Sequence, residues 1–424
     1  MNQARETSSS GRTAGNAHVV VVGAGQGGLQ VASSLRDQGF AGAITLVGDE
    51  PYLPYPRPPL SKGFLKARLP AEDLAFRPQQ YFRQQGVQVR LGEKVVGVDR
   101  RARHVTLSKG EQLDYTHLVL ATGARPRPLQ CEGARLQGVH MLRTVADATV
   151  LRGLLKPGAR LLVVGGGFVG LEVAAAAAEA GCHVTIVELS QRLMARAVPP
   201  RVSAYFLKLH QSRGVEVLTG QSLAALKGNE GAASHALLAD GTRIECDLVL
   251  AGIGVTPNCG LAREASIAAD DGFTVNQALQ SVSDPNVFAI GDCARFPATY
   301  ALGGIRLESV QNVLDQARTV ARSIASGVAV PYRALPWFWT EQFGSRLQMA
   351  GWTPGHDASL LVGDEASGQF SIEYYRKDQL VAVDSVNHTS HYLATRKKLE
   401  AHFVPAPAAD ALAARSPATS HLNA

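Results

Sequence analysis

Val19-Val20-Val21-Val22-Gly23-Ala24-Gly25-Gln26-Gly27-Gly28-Leu29 decides the fold. Four valines in succession read as a short buried strand, and an apolar-periodic helix is expected to start at Leu29. Between them, Gly23 permits a tight turn. Gly25 has no side chain to hold a pyrophosphate away from the backbone, and Gly28 lets the helix pack close to the strand. The helix N-terminus then offers free N–H groups and a partial positive charge to phosphates. A second strand over residues 44–47 ends at Gly48-Asp49-Glu50. Asp49 lies 21 residues beyond Gly28, where a carboxylate accepts hydrogen bonds from a ribose. Turns need glycine in any case, so the triplet alone says little. Strand, triplet, helix and acid at this spacing together specify a dinucleotide-binding unit.

The unit recurs. A strand over 160–164 runs into Gly165-Gly166-Gly167-Phe168-Val169-Gly170, and an alanine-rich helix over 171–180 follows. A strand over 184–187 closes at Glu188. Gly165, Gly167 and Gly170 repeat the spacing of Gly23, Gly25 and Gly28. Two such units in one chain imply two dinucleotides face to face and a hydride passed between them. Glu188 would bind a free 2′-hydroxyl and repel a 2′-phosphate, which favours NADH over NADPH as the second nucleotide. Arg192 is read as a surface cation.

Other stretches end at the same sheet edge. Pro-rich Tyr52-Leu53-Pro54-Tyr55-Pro56-Arg57-Pro58-Pro59-Leu60-Ser61-Lys62 forms no regular element before Leu60 and reads as a stiff connection that sets Lys62 near a redox ring. The competing reading of Lys62 is a solvated helix-end lysine. Strands over 87–91, 95–98 and 104–107 form an antiparallel excursion. The buried strand 118–123 ends in Ala121-Thr122-Gly123, small enough for backbone to pass close to a ligand. Ile290-Gly291-Asp292-Cys293 ends a further strand, with Asp292 placed to accept from a ribityl chain; a bare Gly-Asp turn is the alternative. Beyond about residue 331 alternating strands over 360–362, 370–375 and 380–386 form an α+β domain. It opens with Pro336-Trp337-Phe338-Trp339, where Phe338 is read as a core aromatic and Trp337 or Trp339 as packing at a flavin edge or a partner surface.

Composition sets the limits. The 424 residues allow two or three domains, and 46% apolar with 18% charged residues is an ordinary globular balance. No apolar run is long enough to cross a bilayer. Residues 1–17 read as a disordered leader without a signal peptide, and residues 405–424 as a loose tail. Five widely spaced cysteines form no Cys-x-x-Cys pair, which argues against a disulfide framework and fits a cytoplasmic protein. The formal charge is +6, yet no Lys/Arg run exceeds three, which speaks against nucleic acid.

These motifs together resemble the oxygenase-coupled NADH-dependent ferredoxin reductases, over residues 18 to about 400. They are the two glycine turns, Arg57-Pro58-Pro59-Leu60-Ser61-Lys62, Ala121-Thr122-Gly123, Leu171-Glu172, Ile290-Gly291-Asp292-Cys293-Ala294, Glu308-Ser309-Val310-Gln311-Asn312 and Pro336-Trp337-Phe338-Trp339. The resemblance implies an α/β, glutathione-reductase-type fold with two Rossmann-like domains and an α+β C-terminal domain. The FAD domain would span 18–126 and 254–330, the NAD domain 127–253, and the interface domain 331–404. It implies FAD contacts at Gly27, Asp49, Lys62, Val95, Arg143, Asp292 and Val310, and a Lys62–Glu172 pair near flavin N5. Phe168 stands where relatives often carry Tyr. Disulfide reductases of this fold keep reactive cysteines beside the flavin, whereas here none precedes Cys131. Single electrons would therefore leave to a [2Fe–2S] ferredoxin serving a cytochrome P450 or Rieske oxygenase, with Arg346 and Arg396-Lys397-Lys398 as candidate docking charges. The same fold also admits a rubredoxin reductase, an NADH oxidase, or a non-enzymatic flavoprotein resembling apoptosis-inducing factor.

Overall fold

The computed structural model describes residues 17–66, 70–301 and 303–402; the expected leader and tail lie outside the described residues, apart from Ala17. The valine run forms the strand His18–Val22, and the helix Gln26–Asp37 starts three residues before the expected Leu29. Gly25 takes the extended N-cap conformation, so Gly27 and Gly28 fall inside the first helical turn.

The first sheet is mostly parallel. Its strands run in the order Gln280–Ser281, Asp284–Ala289, His117–Leu120, His18–Val22, Ala43–Gly48, Val87–Leu91. Val20 is flanked by Thr45 on one side and Leu118 on the other, so the first strand is central and the strand order reverses beside it. Ligands bind in the crevice at such a switch point, beyond the carboxyl ends of the strands. Both faces are covered, which is why the strands read as unbroken apolar runs.

A second parallel sheet repeats the plan in the order Glu216–Thr219, His183–Glu188, Arg160–Val164, Leu248–Ala251, Val139–His140. Between the two sheets the chain passes through a short antiparallel pair, Ala124–Pro126 against Val255–Pro257. Hairpin strands Leu223–Asn229, Ala232–Leu238 and Arg243–Glu245 form a satellite sheet.

The C-terminal sheet is antiparallel, in the order Trp337–Gln342, Ser345–Gly351, Gln379–Val386, Gln369–Arg376, Ala358–Asp364, and the helix Thr389–His402 follows it. Its first two strands were not expected from periodicity. Phe206, Leu171, Phe370 and Tyr374 belong to one buried cluster, which joins this sheet to the second nucleotide-type unit. Burial of each such side chain contributes about 1.5–3 kcal/mol.

One buried acid in this sheet predicts a pH dependence. Asp384 is 2% exposed and accepts a hydrogen bond from the Tyr374 hydroxyl at 2.9 Å. Burial pushes its carboxyl from 3.8 up to about 7. Between about pH 4 and 7 the native state then binds more protons than the unfolded chain, so stability falls as pH rises through that window. Denaturant titrations at several pH values should show this decline for the native sequence and lose it in Asp384→Asn. Parallel curves would show that Asp384 ionises normally.

Candidate functional site

Both glycine turns are built the same way. Gly23 has φ +119°, and a Cβ there would lie 2.2 Å from the Ala121 carbonyl oxygen. Gly165 has φ +107°, and its Cβ would lie 2.5 Å from the Gly252 oxygen. At the third glycines, Cβ atoms would stand 2.0 Å (Gly28) and 2.4 Å (Gly170) from the oxygens of Gly23 and Gly165. The middle glycines differ. Nothing lies within 4 Å of a Cβ on Gly25, and only the Gly252 oxygen, at 4.0 Å, approaches one on Gly167. Each middle glycine is an N-cap without a side-chain hydrogen bond, for the helices Gln26–Asp37 and Phe168–Glu179. Two open cradles at uncapped helix N-termini fit two pyrophosphates. Gly27 has a packing task as well, since a Cβ would meet Val313 at 2.5 Å.

The acids after the second strands diverge. Asp49 is exposed at the sheet edge. Glu50 beside it accepts from Arg57 at 2.7 Å and from the Tyr55 hydroxyl, and Arg57 also donates to the Arg143 carbonyl at 2.6 Å. This cluster ties down the Pro-rich connection. Glu188 accepts from the Gly166 N–H at 2.6 Å and the Ser190 N–H at 2.7 Å, which locks it beside the second glycine turn. Arg192 departs from its expected role as a surface cation. It donates to the Val198 and Ala195 carbonyls at 2.5 and 2.7 Å and is turned into its own loop. Nothing in that arrangement offers a 2′-phosphate a free guanidinium. Glu188→Ala is expected to cut the kcat/KM preference for NADH over NADPH roughly 10- to 100-fold, the worth of a charge-assisted hydrogen bond. An unchanged ratio would remove Glu188 from cofactor choice.

Lys62 and Glu172 meet, with Nζ 2.7 Å from Oε2. Ser61 Oγ donates to the same oxygen at 2.5 Å, and Thr340 Oγ1 donates to Oε1 at 2.6 Å. Glu172 is 5% exposed. Its donors come from the turn Pro58–Ser61 with the adjoining Lys62, and from the C-terminal strand Trp337–Gln342. One carboxylate therefore joins all three sheet systems, and the solvated alternative for Lys62 is excluded. Ser61 and Thr340 were not foreseen. Ser61 is signalled by its place beside Lys62, but Thr340 is 168 residues from Glu172 and has no local signal.

Asp292 sits in a Gly-Asp-Cys turn whose Gly291 N–H donates to Gln316 at 2.7 Å. Its carboxylate pairs with Arg143 at 3.0 Å, and Gly123 leaves space for that guanidinium. Ala121 borders the first glycine turn. Val310 opens the helix Val310–Ser326, capped by Ser309. Val95 is 4% exposed in the first core, so only its backbone can serve a ligand. Trp339 is half-buried, 5.6 Å from Trp337. Phe338 is not the core residue expected. It is half-buried and packs on Phe168 with ring centroids 4.6 Å apart, because it shares a strand face with Thr340.

Burial raises the pKa of all five thiols. Cys293 is fully buried and donates to the Ile290 carbonyl at 3.2 Å, and burial raises its pKa. Burial pushes Cys259 up to about 12. A raised pKa suppresses the thiolate that disulfide chemistry requires.

Comparison with known proteins agrees with this geometry. Residues 17–319 match the family described as pyridine nucleotide-disulphide oxidoreductase, and residues 337–419 match the reductase C-terminal domain. The chain belongs to the pyridine nucleotide-disulphide oxidoreductase family. It is 44% identical to rhodocoxin reductase of Rhodococcus erythropolis, covering 92% of each. Among solved structures it resembles the ferredoxin reductase for the CYP199A2 system from Rhodopseudomonas palustris. There the TM-score is 0.88 at 40% identity, over 92% of this chain and 96% of that one. The covalent putidaredoxin reductase–putidaredoxin complex matches with TM-score 0.87 at 39% identity, over 94% and 96%. The expected α/β fold of glutathione-reductase type is thereby established, and this oxidoreductase is an FAD- and NAD(H)-using flavoprotein.

Proposed function

We propose that this reductase takes a hydride from NADH onto FAD and passes single electrons to a [2Fe–2S] ferredoxin that feeds a cytochrome P450 or Rieske oxygenase. The observation that carries the reading is the pair of open glycine cradles with the Lys62–Glu172 pair between their domains, in a family member with no cysteine before Cys131. Bound FAD supplies the conversion of one hydride into two single electrons.

The chain's residues divide the work. Gly23, Gly25, Gly27, Gly28, Asp49, Val95, Ala121, Arg143, Asp292 and Val310 would hold FAD. Gly165, Gly167, Gly170 and Glu188 would hold NADH. Lys62 would present a cation beside the reacting ring while Glu172 fixes its position. Phe168 and Phe338 would shield the ring from water. The domain division at 126 and 254, with a C-terminal domain from 331, belongs to the same reading and is supported by the strand pair between the sheets.

Trp339 would pack at the flavin edge. Beside neighbouring Trp337, a groove of about 790 Å³ is lined by Arg318, Arg322, Arg333 and Arg396. Asp37, Asp315 and Glu400 share that lining, with Asp315 paired to Arg318 and Glu400 to Arg396, so a small positive excess would face an acidic ferredoxin. Arg396 lies over the Trp337 ring at 4.7 Å and pairs with Glu400, so it is already engaged within the basic run. Arg346 is exposed. Five free cysteines support a cytoplasmic setting, and among the described residues no helix is long and apolar enough to cross a membrane.

Anaerobic NADH should bleach the flavin-loaded protein, and a [2Fe–2S] ferredoxin should then restore its colour faster than rubredoxin or oxygen does. Reoxidation led by oxygen or rubredoxin would replace the ferredoxin reading. Asp292→Ala is expected to purify largely without flavin, because it removes an acceptor and leaves Arg143 unpaired. A full flavin-to-protein absorbance ratio would contradict its role.

A further inference from the structure

The carboxylate of Glu172 is the end of a longer buried chain. Thr340 Oγ1, 2.6 Å from Glu172 Oε1, is 3.4 Å from Gln342 Nε2, and Gln342 Oε1 is 2.8 Å from His210 Nε2. Thr340, Gln342 and His210 are each no more than 1% exposed. The spacing has a simple origin. Phe338, Thr340 and Gln342 alternate along one strand face, and Phe168 and Glu172 stand one helical turn apart. Two strand residues advance about 6.6 Å and four helical residues about 6 Å, so the two rows stay in step. Phe338 meets Phe168, Thr340 meets Glu172, and Gln342 reaches the next helix, Pro200–Ser212, at His210.

Chemistry fixes the direction of every bond. A carboxylate only accepts, so the single hydroxyl proton of Thr340 goes to Glu172. The Thr340 oxygen is then free to accept from the Gln342 amide N–H. The Gln342 oxygen accepts in turn from His210, which places the imidazole proton on Nε2. His210 Nδ1 has no partner among the described residues, so a second ring proton would be buried without an acceptor. All the donors point towards Glu172, and hydrogen bonds aligned this way polarise one another.

We propose that His210, Gln342 and Thr340 form a one-way hydrogen-bond chain that positions Glu172 against Lys62 and so tunes the redox behaviour of the flavin held beside Lys62. The inference rests on the proposed placement of Lys62 at the flavin. These three are positioning residues, because each acts through Glu172. Without the Thr340 hydroxyl, the carboxylate has one donor fewer and draws the Lys62 ammonium more strongly to itself. Less positive charge is then left to stabilise added electrons.

The test uses flavin-loaded full-length protein and two readouts: the flavin midpoint potential by spectroelectrochemical titration, and the bleaching rate at saturating NADH. Thr340→Val should shift the potential negative and slow bleaching about tenfold, the worth of one hydrogen bond to a charged group, and Gln342→Met, which removes a bond to a neutral hydroxyl, should move both the same way by about two- to fivefold. Thr340→Ser should restore both. Should Thr340→Val not fold, Gln342→Met at the outer link reads the same chain. Potentials and rates that stay at the native values, with only the melting temperature lowered, would reduce the chain to packing. A shift confined to Thr340→Val would overturn the outer links through Gln342 and His210. Lys62→Met separates the two layers of the argument. If it moves the potential and the chain variants do not, the chain fails alone. If it moves nothing, the placement of Lys62 fails and the inference with it.

Discussion

Gly165→Ala is expected to weaken NADH binding sharply while leaving the protein yellow. The new methyl group would lie 2.5 Å from the Gly252 carbonyl oxygen, at a φ of +107° that side chains rarely adopt. The neighbouring atoms are backbone, so relief requires opening the turn and shifting the N-terminus of the helix Phe168–Glu179. A strain of about 1–3 kcal/mol converts to roughly 5- to 150-fold weaker binding. The first cradle is a separate structure, so flavin content should stay near that of the native protein. Gly23→Ala is the mirror experiment, with a Cβ 2.2 Å from the Ala121 oxygen, and should lose flavin first. Equilibrium titration with NADH and the flavin-to-protein absorbance ratio read the two losses independently. A Gly165→Ala protein that binds NADH normally would remove the second turn from nucleotide binding.

The other large effect is expected from Glu172→Ala. It leaves Lys62, Ser61 and Thr340 facing a cavity where their shared acceptor stood. Removing one partner of a buried pair typically costs about 3–5 kcal/mol. Denaturant unfolding should show that loss, and NADH-driven bleaching of the loaded protein should slow at the same time. Glu172→Gln keeps the volume and can still accept from Thr340, so it should recover much of the stability but not the rate. Equal stability and equal rates in both variants would leave the carboxylate without a task.

Much of this fold is readable along the chain because its parts are local. The run from Val19 to Gly28 contains strand, turn and helix start within ten residues, and the second unit repeats it at Gly165. Apolar runs such as Leu118-Val119-Leu120 mark strands covered on both faces. The helix boundary was less legible. Propensity places glycines 27 and 28 outside a helix, yet the uncapped turn needs them inside it. The first C-terminal strands were missed because Trp337-Phe338-Trp339 is aromatic throughout and shows no two-residue alternation. Phe338 was read as core for the same reason, and Arg192 was read as solvated because the carbonyls that hold it, Ala195 and Val198, belong to an irregular loop.

By itself the sequence determined the two glycine-turn units, the positions of Asp49 and Glu188 after their second strands, the turn that carries Lys62 and the lack of any cysteine before Cys131, since each is read from residues along the chain itself. Only the tertiary structure decided which groups meet at Glu172, that Asp292 pairs with Arg143, and that His210 connects through Gln342 and Thr340 to the same carboxylate. Those contacts span 111 residues for Ser61 and 132 for His210, and they follow from how three sheets pack together. A side chain's type limits which bonds it can make, but only the packing of distant elements chooses its partner.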